Sequence, residues 1–455
     1  MISSNKNAKI GFVIYYPFQY YVYKNVFKHL ADHAEFIIDM GAHLPVVQPP
    51  ELLERIVALL NKNNAPYKIL RYEDYSKDAF LKKFYAPYEV LVSVWEKGCM
   101  RHRYNEERKK VRMAYGSGKE LTMLRPSGGI YDLTLAYGER DSKSFSLYSK
   151  TVIVGNPKFD DWFSGNFEKQ LLRDIENKID RSKKTVLYLP THSDLCSIPE
   201  LLPELNKISS DYNIIIKLHY FNIVDTPEIV NEFKKGKFIL YGDETDLLPL
   251  LYVADMVLSD NSSAIFDAML ADKPVLATDF FSKEYLDIEH KEPKIFRRGV
   301  NMALTYSGSI EQQVKKDGLI LTIKFPEELK NGIERALLDE TFFKNARKKI
   351  CKELFAFQDG QSGERAAKEI EGLRNAKARY EKTPLTQAMD ASLKTIRSVR
   401  AIDRPAVTYL YIAINDKKTT AWRKIIMRTM LLILKACENI LGHKLYIRYI
   451  SNQSE

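Results

Sequence analysis

Five polar residues in a row, Ser259-Asp260-Asn261-Ser262-Ser263, separate the apolar run 256–258 from Ile265, Phe266, Met269 and Leu270, which recur at helical spacing. Lys273-Pro274 and a second apolar run, 275–277, follow. The pattern reads as strand, polar turn, short helix, strand. Hydroxyl and amide side chains at a helix start can cap it, and the first-turn N–H groups have no partner inside the helix. Partial positive charge collects there, so a phosphate-sized anion is the natural complement. An ordinary capped helix in an α/β domain, with no ligand, accounts for the same residues. Thr191-His192 and His219 each follow a strand-like run, 185–189 and 213–218. Ligands of open α/β sheets collect at the carboxyl ends of strands, and imidazole titrates near neutrality, so both places suit anion binding or proton transfer. A hydrogen-bonded structural histidine is the alternative.

The elements that must hold these residues alternate along the chain. Apolar runs at 10–14, 36–38, 68–70 and 90–92 are separated by periodic stretches such as 51–60, in which Leu52, Leu53, Ile56, Val57 and Leu60 share one helical face. This predicts a parallel sheet covered on both faces. Within that half, residues 111–141 are rich in glycine, with Gly116, Gly118, Gly128 and Gly129 interleaved with Tyr115, Lys119, Glu120 and Asp132. Glycine permits tight turns and close backbone approach to a ligand. Residues 167–182 are polar and charged and read as a linker. A second alternating series then runs from the strand at 185–189 to about residue 350, including a helix at 247–253 that Thr245 or Asp246 can cap.

A chain of 455 residues exceeds one ordinary core and predicts two domains and an appendage. Hydrophobic and charged contents of 45% and 28% are those of a soluble globular protein. The four cysteines are scattered without CxxC spacing, so neither a zinc site nor a disulfide framework is signalled. The first apolar run reads as a strand rather than a signal peptide, which places the protein in the cytoplasm. Net charge is +10, of which residues 376–455 carry +9, from 15 Lys and Arg against 6 Asp and Glu. The near-neutral remainder argues against a nucleic-acid partner. In the stretch 419–441, Trp422, Ile425, Ile426, Met430, Ile433, Leu434, Cys437 and Leu441 fall on one helical face among Arg423, Lys424, Arg428 and Lys435. Its longest uncharged run is six residues, far short of the ~20 that cross a bilayer. A basic amphipathic helix fits an anionic membrane surface, on the inner face of the plasma membrane, or equally the protein's own body.

The stretch ADMVLSDNSSAIFDAMLADKPVLATDF resembles the CDP-glycerol glycerophosphotransferases, the teichoic-acid primases and polymerases of the GT-B fold. Ser262, Ser263, Phe266, Asp267 and Lys273-Pro274 fit the family pattern, and Asn261 stands where the family has Tyr. Gly155-Asn156-Pro157-Lys158-Phe159-Asp160, Lys217-Leu218-His219-Tyr220 and Asp359-Gly360-Gln361-Ser362-Gly363-Glu364-Arg365 are similar to further family elements in the same order. The resemblance covers about residues 90–370.

It implies an α/β, GT-B architecture of two doubly wound domains facing a cleft. The acceptor-side domain is placed at 1–166 and the donor-binding domain at 167–350. A helix crossing back is placed at 351–375, and a basic helical extension at 376–455. It also implies transfer of glycerol phosphate or ribitol phosphate from a CDP-alditol to a hydroxyl on a lipid-linked saccharide or envelope polymer, with release of CMP and without a cofactor or metal. His219 would hold donor phosphates. The donor site would draw on Thr191, Asp246, Ser259, Asp260, Asn261, Ser262, Ser263 and Asp267. The family's acceptor-activating His is replaced by Tyr115 here, and a phenol ordinarily titrates near ~10, which leaves Glu120 and Asp132 as alternative bases. A GT-B glycosyltransferase using a sugar nucleotide, and a non-catalytic nucleotide- or membrane-binding assembly protein, remain open as other readings.

Overall fold

The structure is a computed structural model that describes residues 5–42, 51–118, 126–192, 196–225, 227–279 and 309–387. Contacts divide the chain after Thr386, and both sheets belong to the unit Met1–Thr386. Glu120 and the stretch 419–441 lie outside the described residues.

Seven strands form the first sheet: β1 (Ile10–Ile14), β2 (Ala34–Asp39), β3 (Tyr67–Leu70), β4 (Val90–Ser93), β5 (Lys109–Met113), β6 (Leu133–Ala136) and β7 (Lys150–Ile153). Their spatial order is β3-β2-β1-β4-β5-β6-β7, all parallel. Six form the second: β8 (Thr185–Leu189), β9 (Asn213–Lys217), β10 (Ile239–Tyr241), β11 (Met256–Ser259), β12 (Val275–Thr278) and β13 (Leu321–Ile323). Their order is β10-β9-β8-β11-β12-β13, again all parallel. Crossover helices cover both faces of such sheets, so central strands read as unbroken apolar runs rather than alternations. Every residue of β1, β2, β8 and β11 is buried accordingly. In each sheet the winding direction reverses once, between β1 and β4 and between β8 and β11. The crevice beyond the carboxyl ends of the strands at such a reversal is where doubly wound folds bind ligands.

Two sequence elements with no chemistry of their own join the ends of the unit. Asp160 accepts Ser362 N at 3.0 Å and Gly363 N at 2.6 Å, capping the helix Ser362–Asn375 from 202 residues away. Only a glycine fits at 363, because a Cβ there would meet Asn25 O at 2.2 Å. The helix then buries Ala366, Ala367, Ile370 and Leu373 in the core of the first sheet.

Residues 167–182 differ from the linker that their polarity suggests. They contain the helix Lys169–Glu176, which buries Ile175 and packs Leu171 into the same core as Leu248 and Leu251. Its apolar stripe is too narrow to stand out among the charged and amide residues around it. That core also takes in Ala114, Tyr137 and Phe159 from the first half of the unit, so an apolar seam runs between the two sheets.

Candidate active site

One cavity, of about 280 Å³, lies where both sheet reversals point. The loops after β1, β4 and β5 line it from one side, and those after β8, β9, β10 and β11 line it from the other. The chain therefore needs no special device to assemble the site, because parallel winding delivers all these loops to one edge.

β9 ends at Lys217 and carries His219 into the cavity. Phe221 N donates to His219 Nδ1 at 3.2 Å. An acceptor at Nδ1 places the proton of the neutral ring on Nε2, which makes that atom a donor suited to an anion. The His192 ring stacks on that of His219, with centroids 4.4 Å apart and planes 25° apart, and lines the same cavity. Lys217 Nζ donates to Gly242 O at 3.1 Å. Burial lowers its pKa, against the pull of Asp243, Glu244 and Asp246.

The polar run after β11 divides in two. Ser262 and Ser263 line the cavity, with Ala264 at the start of the short helix Ala264–Leu270 and Asp267 on its first turn. Ser259, Asp260 and Asn261 are buried beneath them and do not reach the cavity. Ser259 Oγ donates to Leu189 O at 2.8 Å. Asp260 accepts Thr191 N at 2.8 Å through one carboxylate oxygen, and Ser197 N and Ser197 Oγ, both at 3.0 Å, through the other. Lys315 Nζ donates to Asp260 O, Asn261 Oδ1 and Thr278 O at 3.3, 3.0 and 2.7 Å. Burial pushes the Asp260 carboxyl up to about 6, against those hydrogen bonds and Lys315. Asp260 thus ties the β8 and β11 loops together and sets the position of Thr191 and, with it, His192. Asn222 Nδ2 holds Thr191 O from the other side at 2.9 Å.

The carboxylates that do line the cavity are each engaged by a cation. Asp267 pairs with Lys158 at 2.6 Å. Asp246 accepts Leu248 N at 3.1 Å, capping its helix, and also Lys24 Nζ at 2.7 Å. Lys24 in turn holds Asp161 at 2.7 Å; burial works against its charge, but the two carboxylates outweigh that and raise its pKa. Asp243 and Glu244 both take Arg55 of the helix Glu51–Lys62. Burial raises the pKa of Asp243, and Arg55 and Lys217 act against it. Asp243 Oδ2 is buried without a protein partner.

Of the residues expected near the acceptor, the two that are described, Tyr115 and Asp132, are not brought together. Tyr115, just beyond β5, lines the cavity. Asp132 directly precedes β6 and so sits at the amino edge of a parallel strand, the edge opposite to the ligand crevice. There it is held by Arg379 at 2.5 and 2.9 Å and accepts Lys110 N at 2.7 Å, as a structural clamp. That correction was available in the sequence, since a residue before a strand cannot lie at its carboxyl end. The loop of Tyr115 meets the second sheet's domain at Gly118, where φ is +73° and a Cβ would lie 2.9 Å from the Phe266 ring. Residues not anticipated as part of the site include Lys158, Lys217, Asp243 and the rings Tyr16, Phe18, Trp95 and Phe221.

Residues 139–289 match the family model described as CDP-Glycerol:Poly(glycerophosphate) glycerophosphotransferase. The teichoic acid poly(glycerol phosphate) polymerase of Bacillus spizizenii is 26% identical over 153 residues, which cover 31% of this chain and 38% of that protein. The chain therefore spans well under half the length of that relative. Among solved structures, the wall teichoic acid polymerase TagF superposes with a TM-score of 0.53 at 15% identity, covering 81% of this chain and 90% of that one. A TagF variant soaked with CDPG gives 0.51 at 15% identity, with the same coverage of both chains. A UDP-GlcNAc 2-epimerase from Neisseria meningitidis bound to UDP-GlcNAc gives 0.52 at 12% identity, covering 80% and 99%. These structural likenesses establish the fold, two Rossmann-like domains of the GT-B type. Among the described residues no helix is long and apolar enough to cross a membrane. The sequence match falls on the segment that supplies His219 and Ser262-Ser263, so it is through residues 139–289 that the chain is similar to the CDP-glycerol:poly(glycerophosphate) glycerophosphotransferases.

Proposed function

We propose that the protein transfers an alditol phosphate from a CDP-alditol, glycerol or ribitol, to a hydroxyl of an envelope saccharide or polymer. The observation that carries the reading is the convergence of His219 and Ser262-Ser263, from two different strands, on one cavity at the sheet reversal. The acceptor oxygen forms a bond to the phosphorus that bears the alditol, the bond from that phosphorus to the CMP oxygen breaks, and the acceptor proton leaves to a base. His219 Nε2–H donates to the phosphate oxygens that gain charge, and Lys158 and the turn at Ser262-Ser263 add to that field. Positioning and charge stabilisation carry most of such a step. Among the described residues His192 is the best-placed base, with Tyr115 opposite it. In this reading the donor rests against the second sheet's loops and the acceptor against the first sheet's, and we propose the corresponding domains at 1–166 and 167–350.

The test is nucleotide release in a panel of CDP-glycerol, CDP-ribitol, UDP-sugars and CMP-sugars. CMP release from a CDP-alditol, lost in His219→Ala, supports the reading. Release only from a sugar nucleotide would shift it to glycosyl transfer, the reading that Tyr115 in place of the family's His favours. Binding without turnover would leave a nucleotide-dependent assembly protein. We further propose that the basic stretch 419–441 holds the protein on an anionic membrane surface. Co-sedimentation with phosphatidylglycerol vesicles but not phosphatidylcholine vesicles tests that.

A further inference from the structure

The two sides of the cavity differ in chemistry. Every ionisable cation and carboxylate that lines it comes from the second sheet's loops or from Lys158. Apart from Lys158, beyond β7 and paired with Asp267, the first sheet's side contributes Tyr16, Phe18, Tyr21, Val22, Trp95 and Tyr115, with no charge among them. Trp95 is the centre of this wall. It meets Tyr115 edge-to-face at 5.5 Å and 80°, Tyr16 at 5.5 Å and 79°, and Phe18 at 5.9 Å and 67°. Lys97 Nζ lies 5.1 Å from the Trp95 ring centre, but Lys97 is exposed and is not part of the cavity lining. Phe18, Trp95 and Tyr115 are only half-buried, so their ring carbon is presented to the cleft rather than consumed by the core.

From this we infer that the acceptor bound opposite the nucleotide is a neutral pyranose ring, stacked on the Phe18–Trp95–Tyr115 wall, and not an alditol-phosphate chain. The inference rests on the proposed placement of the donor against the second sheet's loops. A pyranose shows a face of C–H groups that packs on aromatic carbon, while its rim of hydroxyls stays available to attack and to polar neighbours. A polyanionic chain has the opposite needs. It would have to leave water for a wall of uncharged rings, where the one lining cation from the first sheet's side, Lys158, is already paired with Asp267, beside a donor that carries charge on its diphosphate. Burying a charge without a partner is strongly unfavourable.

The experiment compares two acceptor probes, methyl N-acetyl-β-glucosaminide and a synthetic glycerol-phosphate trimer, on the full chain. Saturation-transfer NMR reads contact between aromatic protons and ligand C–H groups without any turnover. The expected result is saturation of the saccharide ring protons, reduced about fivefold or more in Trp95→Ala and Phe18→Ala and retained in Trp95→Phe, with no binding of the trimer. In the CMP-release assay the saccharide KM should rise about tenfold in the same two variants, while CDP-glycerol affinity stays within about twofold. Binding of the trimer instead of the saccharide, or no binding of the saccharide, overturns the proposal. So does an equal loss of CDP-glycerol affinity in Trp95→Ala and Phe18→Ala, since the wall would then be stacking the donor's base. Two variants guard against misfolding of one, and each is checked by its Tm. If no CDP-alditol is consumed, the transferase reading fails, and the NMR comparison still decides whether the wall takes a sugar.

Discussion

The two halves of the polar turn after β11 are adjacent in sequence and opposite in use. Asp260 and Asn261 turn inward, where Thr191 N, Ser197 and Lys315 satisfy them. Ser262 and Ser263 turn outward to the cavity. A phosphate-binding turn has to be rigid before the ligand arrives, or the ligand's own binding energy is used up in ordering it. The buried carboxylate supplies that rigidity, and the exposed hydroxyls and amides supply the contact. Polarity alone therefore marks the turn but does not say which member of it meets the ligand.

The comparison is broken most severely at Asp260. Asp260→Ala leaves two backbone N–H groups and the Ser197 hydroxyl with fewer acceptors and removes a charge from beside the buried Lys315, which keeps its hydrogen bond to the residue's carbonyl. A loss of about 3–5 kcal/mol is expected, read as a large fall in Tm with activity lost alongside it. His219→Ala should do the converse. The side chain is half-buried, accepts Phe221 N through Nδ1 and stacks on the rings of His192 and Phe221, so Tm should fall far less than in Asp260→Ala. CMP release should fall by about 10²–10³, the usual loss for one donor to a charge that develops in the transition state. If His219→Ala proved as destabilising as Asp260→Ala, the distinction between frame and contact would be lost.

A subtler test of the frame uses pH. With the Asp260 carboxyl pushed up to about 6 in the folded protein and near ~3.9 in the unfolded chain, the folded state holds the extra proton between those values. Stability from this group is therefore full below about pH 4 and is lost as pH rises through about 6, by on the order of 3 kcal/mol at ~1.4 kcal/mol per unit. Burial also raises Asp39, Asp160 and Asp243, so the whole-protein curve mixes several groups. The difference between wild type and Asp260→Asn isolates one of them. That difference in Tm should narrow from pH 4 towards pH 6.5 if the wild type loses stability over that window, and a parallel pair of curves would refute the assignment.

How much of this was legible in the sequence follows the same division. The alternating strands and helices could be read because the strands at 185–189, 213–217 and 256–259 are built on the apolar runs 186–189, 214–216 and 256–258. His219 could be placed because it follows such a run directly. The inward turn of Asp260 could not, because its partners lie 69 and 63 residues before it, and Lys315, which holds its backbone, lies 55 after. The pairing of Lys158 with Asp267 spans 109 residues and is equally invisible locally. Trp95 and Phe18 were hidden for another reason. An aromatic at the end of an apolar run looks like core, and only the tertiary arrangement leaves these two half-exposed in a cleft.

The smallest expected effect sharpens the comparison at its boundary, one residue past Asn261. Ser262 Oγ accepts Ala264 N at 3.3 Å, a weak cap at a half-exposed position. Ser262→Ala should therefore cost under about 1 kcal/mol of stability, below what a well-formed cap contributes. The same hydroxyl lines the cavity, so donor KM should rise by about three- to tenfold, the equivalent of one neutral hydrogen bond, with kcat nearly unchanged. A fall in kcat with KM constant would instead mean that the hydroxyl acts only on the transition state, and would move Ser262 from holding the donor to the chemical step itself.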